Sequence, residues 1–341
     1  MIKEKDGEEK MDMKKWVDDL KNNHCQTMPI LTFPAVQALH ISVEELVKDT
    51  KLQVKAMQYI NETFDPAAIL GLMDLSVEAE RFGSTIRYVK DSVPSVVGKI
   101  INDEDDAQNL EIPDVYQGRT KVFIDAIENI MKSGVNKPVF PGVIGPFSLA
   151  GRLMDVSEAI ICCYDDPDLL HIVLQKVTQF IMNYIFAFKK VGASGVVLAE
   201  PLAGLLSPIL VKEFSCDYVK KIIDAVSDDE FIVIYHNCGD NTLKMVNDLL
   251  EMKAPIYHFG NSIDIVEMLK QVPDDVIVMG NIDPVKEFKD GTVASITQAT
   301  TELLERCKGY SHFVISSGCD IPAKAPLDNI KAYFETVKKF K

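Results

Sequence analysis

Two short stretches carry the residues best suited to chemistry. The first, Tyr235-His236-Asn237-Cys238-Gly239-Asp240, follows directly on the hydrophobic run Phe231–Tyr235. His236 and Cys238 are two apart, so in extended chain their side chains leave on the same side. An imidazole and a thiolate so placed can chelate one metal ion. The second stretch, Ser316-Ser317-Gly318-Cys319-Asp320, follows the β-branched run His312–Ile315. Cys238 and Cys319 are too far apart in sequence for a zinc finger, so a fold would have to bring them together. A lone His-x-Cys is a weak signal, because a free cysteine is often just a small core residue. Two strand-end loops that each offer a cysteine beside a glycine are a stronger one. A Cys2His set is the zinc arrangement that leaves one position open for a substrate.

Around this set stand weaker candidates. Glu200, in Leu198-Ala199-Glu200-Pro201, ends another hydrophobic run and can serve as a fourth ligand or a general base. Asp240 and Asp320 sit beside the two ligand loops, where each can orient His236 or a backbone amide or simply form a turn. Phe33, Phe147 and Tyr235 can line a pocket, although aromatics at strand ends more often pack. The remaining cysteines, Cys25, Cys162, Cys163, Cys216 and Cys307, are expected to be neither ligands nor a disulfide set. Seven cysteines is an odd number, and a disulfide framework would need an oxidising compartment.

These loops need a scaffold. From about residue 138, short β-branched runs alternate with amphipathic stretches. The expected strands are Pro138–Val143, Gly195–Ala199, Phe231–Tyr235, Pro255–Phe259, Val276–Gly280 and His312–Ile315. The expected helices are Pro167–Lys190, Pro208–Val226, Asn241–Glu251, Asp264–Gln271, Thr292–Cys307 and Pro326–Phe340. That alternation predicts a parallel sheet with right-handed crossovers. Pro29–Phe33, Ala67–Leu70 and Thr85–Tyr88 supply the remaining strands. No glycine fingerprint follows the first strand, so an open dinucleotide-binding sheet has no support. The reading is a (β/α)8 barrel in a single domain over residues 1–341, with a helical N-terminal extension over 1–27. In a barrel, the loops after the strands form the face where active sites are built. Ser42 and Glu45 form a capping box for a helix running to about Glu62. The acidic stretch Asp91–Gln117 reads as an irregular surface excursion.

Composition narrows the partners. The chain has 341 residues, 36 Lys plus Arg against 51 Asp plus Glu, and a net charge of −15. It lacks the basic footprint that nucleic acid or an anionic membrane requires. Its apolar stretches are too short to span a bilayer or are broken by Glu200 and prolines, and its start is unlike a signal peptide. A cytoplasmic location is expected.

The motifs His236-Asn237-Cys238-Gly239 and Ser317-Gly318-Cys319-Asp320-Ile321-Pro322 resemble the zinc motifs of the methylcobamide:coenzyme M methyltransferases. These belong to the uroporphyrinogen decarboxylase superfamily of (β/α)8 barrels. Gly145-Pro146-Phe147, Gly280-Asn281-Ile282-Asp283-Pro284 and Ala325-Pro326-Leu327-Asp328-Asn329-Ile330 agree with it. The resemblance runs from about residue 28 to the end and is most specific in the second half. It implies zinc on His236, Cys238 and Cys319, and methyl transfer from a methylated corrinoid on a partner protein to a thiol. The acceptor is left open among coenzyme M, folate and other thiols, and a homodimer is compatible with it. Bound zinc deprotonates a thiol near neutral pH, and soft cysteinates preserve the sulfur's nucleophilicity. Family members with a resting Glu ligand carry it just after the following strand. This chain has His258-Phe259-Gly260-Asn261 there, which leaves the fourth ligand open among Glu200, His258 and water. Asp74 lies near the essential Asp of the superfamily's decarboxylases and is a catalytic candidate, or else a cap for a helix starting near Ser76.

The alternative is uroporphyrinogen decarboxylase itself. Those enzymes bind a polyanion through an arginine-bearing loop after the first strand. Here that place holds Thr32-Phe33-Pro34-Ala35-Val36-Gln37, and Arg152 stands where they carry a pocket tyrosine. An acidic chain without that loop is poorly suited to a polyanion.

Overall fold

In the computed structural model, which describes residues 11–23 and 26–340, ten strands appear in chain order. They are β1 (Ile69–Leu70), β2 (Thr85–Val89), β3 (Ser92–Val97), β4 (Val139–Phe140), β5 (Gly142–Ile144), β6 (Gly195–Ala199), β7 (Ile232–Asn237), β8 (Ile256–Phe259), β9 (Ile277–Ile282) and β10 (Phe313–Ser317). Six of them form one parallel sheet in the order β10-β9-β8-β7-β6-β5. β1 and β4 form a second parallel pair. Only Pro141, which has no N–H for a ladder, separates β4 from β5, so the two sheets are continuous through one run of chain.

The gap between β10 and β1 is filled by residues 27–32. Thr27 Oγ1 donates to the Ile315 carbonyl at 2.7 Å, and Ile30 N–H donates to Ser317 Oγ at 3.0 Å. On the other side, Ala67 N–H donates to the Thr27 carbonyl at 2.9 Å and Thr32 Oγ1 to the Leu70 carbonyl at 2.8 Å. Eight parallel runs thus surround a common interior, as the (β/α)8 reading expects. The expected strand Pro29–Phe33 is not a regular strand. Pro29 and Pro34 remove two ladder donors, and side-chain hydroxyls join a few backbone pairs in linking the segment to its neighbours.

Two further expectations are corrected. Thr85–Tyr88 is not a barrel strand: β2 pairs antiparallel with β3 as a separate hairpin. The supposed irregular excursion Asp91–Gln117 therefore contains β3, and also the helix Glu104–Asn109, capped by Asp103. The helices fall close to their expected places. Pro167–Lys190 matches throughout, with Asp166 as cap and Pro167 in the first turn. Pro208–Val226 is interrupted by a π-helical turn at Lys212–Cys216. Ser42 and Glu45 do form the capping box, but that helix stops at Lys48, and Asp49 starts a second one, Thr50–Phe64.

Strand residues alternate between two cores at period two. Val196, Leu198, Val233, Tyr235, Tyr257, Val278 and Ile315 pack outward against the helices. Val197, Ala199, Ile232, Ile234, Ile256, Ile277, Met279 and Val314 fill the interior. The helix Met13–Asn22 joins this inner core with Met13, Val17 and Leu20. Met13 N–H donates to the Asp229 carbonyl, just before β7, so the helix plugs the end where the strands begin. Burying each such apolar side chain is worth about 1.5–3 kcal/mol. Among the described residues, no helix is long and apolar enough to cross a membrane.

Candidate metal centre

The inward parity of β7 runs Ile232, Ile234, His236. On β8 it runs Ile256, His258, and on β10 Val314, Ser316. The interior is apolar up to its last tier, which is polar. β7 extends two residues beyond its expected end, so His236 lies in the strand, paired with His258 of β8. Cys238 is the first residue past the strand.

Close backbone contact shapes this end. A Cβ on Gly260 would lie 2.6 Å from the Cα and Cβ of Cys238, so only glycine lets the two loops meet. Asn237 Oδ1 accepts from Gly239 N–H at 2.9 Å, and Ser262 Oγ donates to the Cys238 carbonyl at 2.9 Å. The cysteine is therefore held by its own backbone.

His236, Cys238 and Cys319 come together. Their ligand atoms all lie within 4.8 Å of one another. Cys319 Sγ is 3.6 Å from His236 Nε2. Tetrahedral zinc with sulfur at about 2.3 Å and nitrogen at about 2.05 Å needs those atoms about 3.6 Å apart. The donor set thus fits zinc in chemistry, and this nitrogen–sulfur pair fits it in spacing. His236 is buried, while Cys238 and Cys319 are half-buried, open enough to meet a substrate. Hydrogen bonding from the Cys319 thiol holds Cys238 well below the usual thiol range, against the effect of burial. Cys319 is pushed up in return.

Behind His236 stands His258. The two Nδ1 atoms are 2.8 Å apart, and His236 Nδ1 is 3.3 Å from the His258 carbonyl oxygen. His258 Nε2 lies 2.8 Å from Ser316 Oγ, which donates to the Met28 carbonyl at 2.9 Å. Sequence reasoning alone misses Ser316; its strand parity is the signal that points to it.

The other candidates lie elsewhere. Glu200 is wholly buried and saturated: it accepts from Phe147 N–H at 3.0 Å, Ser148 N–H at 2.7 Å and Ser215 Oγ at 2.9 Å. Burial raises its pKa against those bonds. It is not in the ligand group. Asp240 is exposed and makes no hydrogen bond to the three ligands; His258, not Asp240, is the partner of His236. Asp320 Oδ1 is enclosed without a partner. Phe33, Phe147 and Tyr235 are fully packed core residues. Cys162, Cys163, Cys216 and Cys307 are buried free thiols outside the group, and Cys25 lies outside the described residues.

Asp74 is buried in an ion network. Its Oδ2 pairs with Arg119 at 2.5 Å, and its Oδ1 accepts from Ser76 N–H at 3.0 Å and Ser76 Oγ at 2.6 Å. Arg119 also pairs with Glu80 and donates to Ser76 Oγ. Beside it, Glu78 is buried, accepts from Ile144 N–H, and is pushed up to about 7 by desolvation. Arg152 is mostly buried without a hydrogen-bond partner for Nε.

Residues 25–340 match the uroporphyrinogen decarboxylase (URO-D) family. The chain belongs to that family. Within it, a methylcobamide:CoM methyltransferase, MtbA, of Methanosarcina acetivorans is 27% identical over 79% of this chain and 78% of the relative. A uroporphyrinogen decarboxylase of Coxiella burnetii is 26% identical over 74% of this chain and 72% of the relative. A solved methyltransferase from Methanosarcina mazei superposes with a TM-score of 0.85 over 98% of this chain and 99% of its own, at 22% identity, which establishes the shared fold. URO-D family relatives therefore include both methyltransferases and decarboxylases, and this chain is similar to both.

Proposed function

We propose that this protein is a zinc-dependent methyltransferase that moves a methyl group from a methylated corrinoid, carried by a partner protein, to a small thiol. The observation that carries the reading is the convergence of His236, Cys238 and Cys319 at the open end of the barrel. A zinc ion held there would keep a thiol deprotonated and nucleophilic near neutral pH. The chain's own part is to hold the site. Cys238 and Cys319 supply two thiolates, whose charge offsets that of the ion. His236 supplies a neutral nitrogen from the barrel interior. Half-burial of the two sulfurs leaves one side open, where the acceptor can enter and the corrinoid can approach. Glu200 and Asp74 serve structure in this reading, since their oxygens are already engaged. Coenzyme M, another thiol or a folate remains a candidate acceptor, and the enzyme is a single cytoplasmic barrel domain.

Similarity to named uroporphyrinogen decarboxylases makes decarboxylation the competing activity. The loop after the first barrel run argues against it. No Arg or Lys occurs between residues 26 and 47. Gln37 uses its amide to tie that loop to the Ala323 and Ala325 carbonyls, each at 2.8 Å, rather than to face a polyanion. The test mixes the zinc-loaded protein with methylcobalamin and a panel of thiols and tetrahydrofolate, and follows the cobalt state by absorbance. Conversion to cob(I)alamin with one acceptor, lost on zinc removal and restored by zinc, is the expected result. Carbon dioxide release from uroporphyrinogen, with no corrinoid demethylation, would overturn it.

A further inference from the structure

The proton on His236 can be placed from the hydrogen bonds behind it. Ser316 Oγ has one hydrogen and donates it to the Met28 carbonyl at 2.9 Å. A carbonyl has no proton to give, so that direction is fixed. Ser316 Oγ therefore accepts from His258 Nε2, 2.8 Å away. His258 is buried, and among the described residues no carboxylate hydrogen-bonds either ring nitrogen. A second ring proton would be an uncompensated buried charge. His258 Nδ1 is thus an acceptor, and it lies 2.8 Å from His236 Nδ1. The His258 carbonyl oxygen, at 3.3 Å from the same nitrogen, can only accept as well. His236 must carry its proton on Nδ1. Its Nε2 lone pair then points towards Cys319 Sγ.

The geometry points to His258 and Ser316 as positioning residues, a neutral relay that locks His236 in the tautomer able to bind a metal through Nε2. The inference rests on the metal centre proposed above. It has two consequences. Both His258 nitrogens are engaged, so His258 is not the fourth ligand, and that position is left to substrate. A carboxylate behind a ligating histidine would add negative charge to the site. The His–Ser relay fixes the ring without adding any.

The experiment combines nitrogen NMR on histidine-labelled protein with zinc affinity measured by chelator competition. In metal-free wild type, His236 should be protonated at Nδ1 and bare at Nε2. His258→Phe should weaken zinc binding roughly 10–100-fold. Ser316→Ala, which frees the His258 ring to change tautomer, should weaken it less and give mixed His236 tautomers. His258→Gln, which keeps an acceptor for His236 and a donor for Ser316, should restore affinity to within about threefold of wild type. The Gln and Ala variants also cover the case in which His258→Phe fails to fold. A wild-type His236 protonated at Nε2 would overturn the relay. So would unchanged zinc affinity in folded His258→Phe. Loss of a nitrogen ligand in that variant, read by X-ray absorption of bound zinc, would make His258 a ligand instead. A protein with the Nδ1–H tautomer that binds no zinc would overturn the metal reading while leaving the relay standing.

Discussion

Around Arg119, charges answer one another: Asp74 and Glu80 pair with it, Ser76 bridges them, and Tyr88 donates to Glu80 at 2.6 Å. Around His236 there is no ion pair among the described residues. A chain of uncharged donors and acceptors ends in one nitrogen and two sulfurs that still have free lone pairs. The first cluster lies in the segment after β1 and on the helix Gly118–Lys132 that carries Arg119, the second at the ends of β7, β8 and β10, and both are built from residues that catalysis commonly uses. In the first, Arg119 faces Asp74 and Glu80, so removing Asp74 or Arg119 leaves a buried charge short of its partner. The second has its spare valence gathered at one point. A titratable residue signals function when its bonds are incomplete in a shared direction, rather than when it is merely buried and acidic.

The largest expected effect would come from emptying the second cluster. Cys238→Ala and Cys319→Ala should each reduce zinc from about one per chain towards none, with methyl transfer lost in parallel and the fold kept, read by metal analysis and circular dichroism. Full zinc in both variants would erase the contrast. Asp74→Ala should do the reverse. Leaving Arg119 buried and half-paired should cost about 3–5 kcal/mol of stability in denaturant melts, while zinc content holds. Loss of zinc at unchanged stability would move Asp74 into the site.

Glu78 gives a pH-dependent version of the same test. Its carboxyl titrates near 7 in the folded chain against 4.5 when exposed. The folded state therefore binds the extra proton between those values, and ionisation at higher pH weakens the fold. Glu78→Gln cannot ionise. Its stability relative to wild type should rise by about 3 kcal/mol from pH 5 to pH 8, and a flat difference would contradict the buried acid. Glu200→Gln should lose about 1–3 kcal/mol, because a carboxylate that accepts three bonds is replaced by an amide with one acceptor. Its zinc content should match wild type. If zinc is lost instead, Glu200 is a ligand. The smallest effects belong to Cys162 and Cys307. Replacing either with Ala should cost about 1 kcal/mol or less and leave the metal untouched.

Much of the fold and of the metal centre is legible in the sequence. That His236, Cys238 and Cys319 belong together follows from residue type, strand-end position and the family resemblance, and the structure brings them within 4.8 Å of one another. Strands with strong β-branched runs, such as Gly195–Ala199, and helices with clear caps, such as Pro167–Lys190, stand where the pattern puts them. The misses have physical causes. Residues 27–32 read as a strand because they are apolar, but prolines and hydroxyl-to-carbonyl bonds give them a barrel position without a ladder. Thr85–Tyr88 alternates like a strand and is one, yet its partner lies seven residues on, in a stretch whose acidity suggests a loop. Asp74 and Glu200 draw attention as acids at strand ends. Their saturation depends on Arg119, Ser148 and Ser215, which no spacing rule connects to them. The Ser316 relay is legible in principle from parity with Val314, but serine in a glycine-flanked loop reads first as a turn.

The hydrogen bonds that join residues 27–32 to β10 have a consequence for how the protein is made. Thr27 and Ile315, and likewise Ser316 and Met28, are bonded across 288 residues of chain. Residues 27–32 leave the ribosome well before β10 and cannot settle until it has emerged. The helix Met13–Asn22, whose apolar face fills the barrel's lower end, waits with them. Contacts of such sequence separation are slow to form and leave apolar surface exposed meanwhile. Cys319 lies just after β10, so the strand that joins the earlier segment also delivers the second sulfur. A chain released short of it would carry His236 and Cys238 on an open, adhesive sheet.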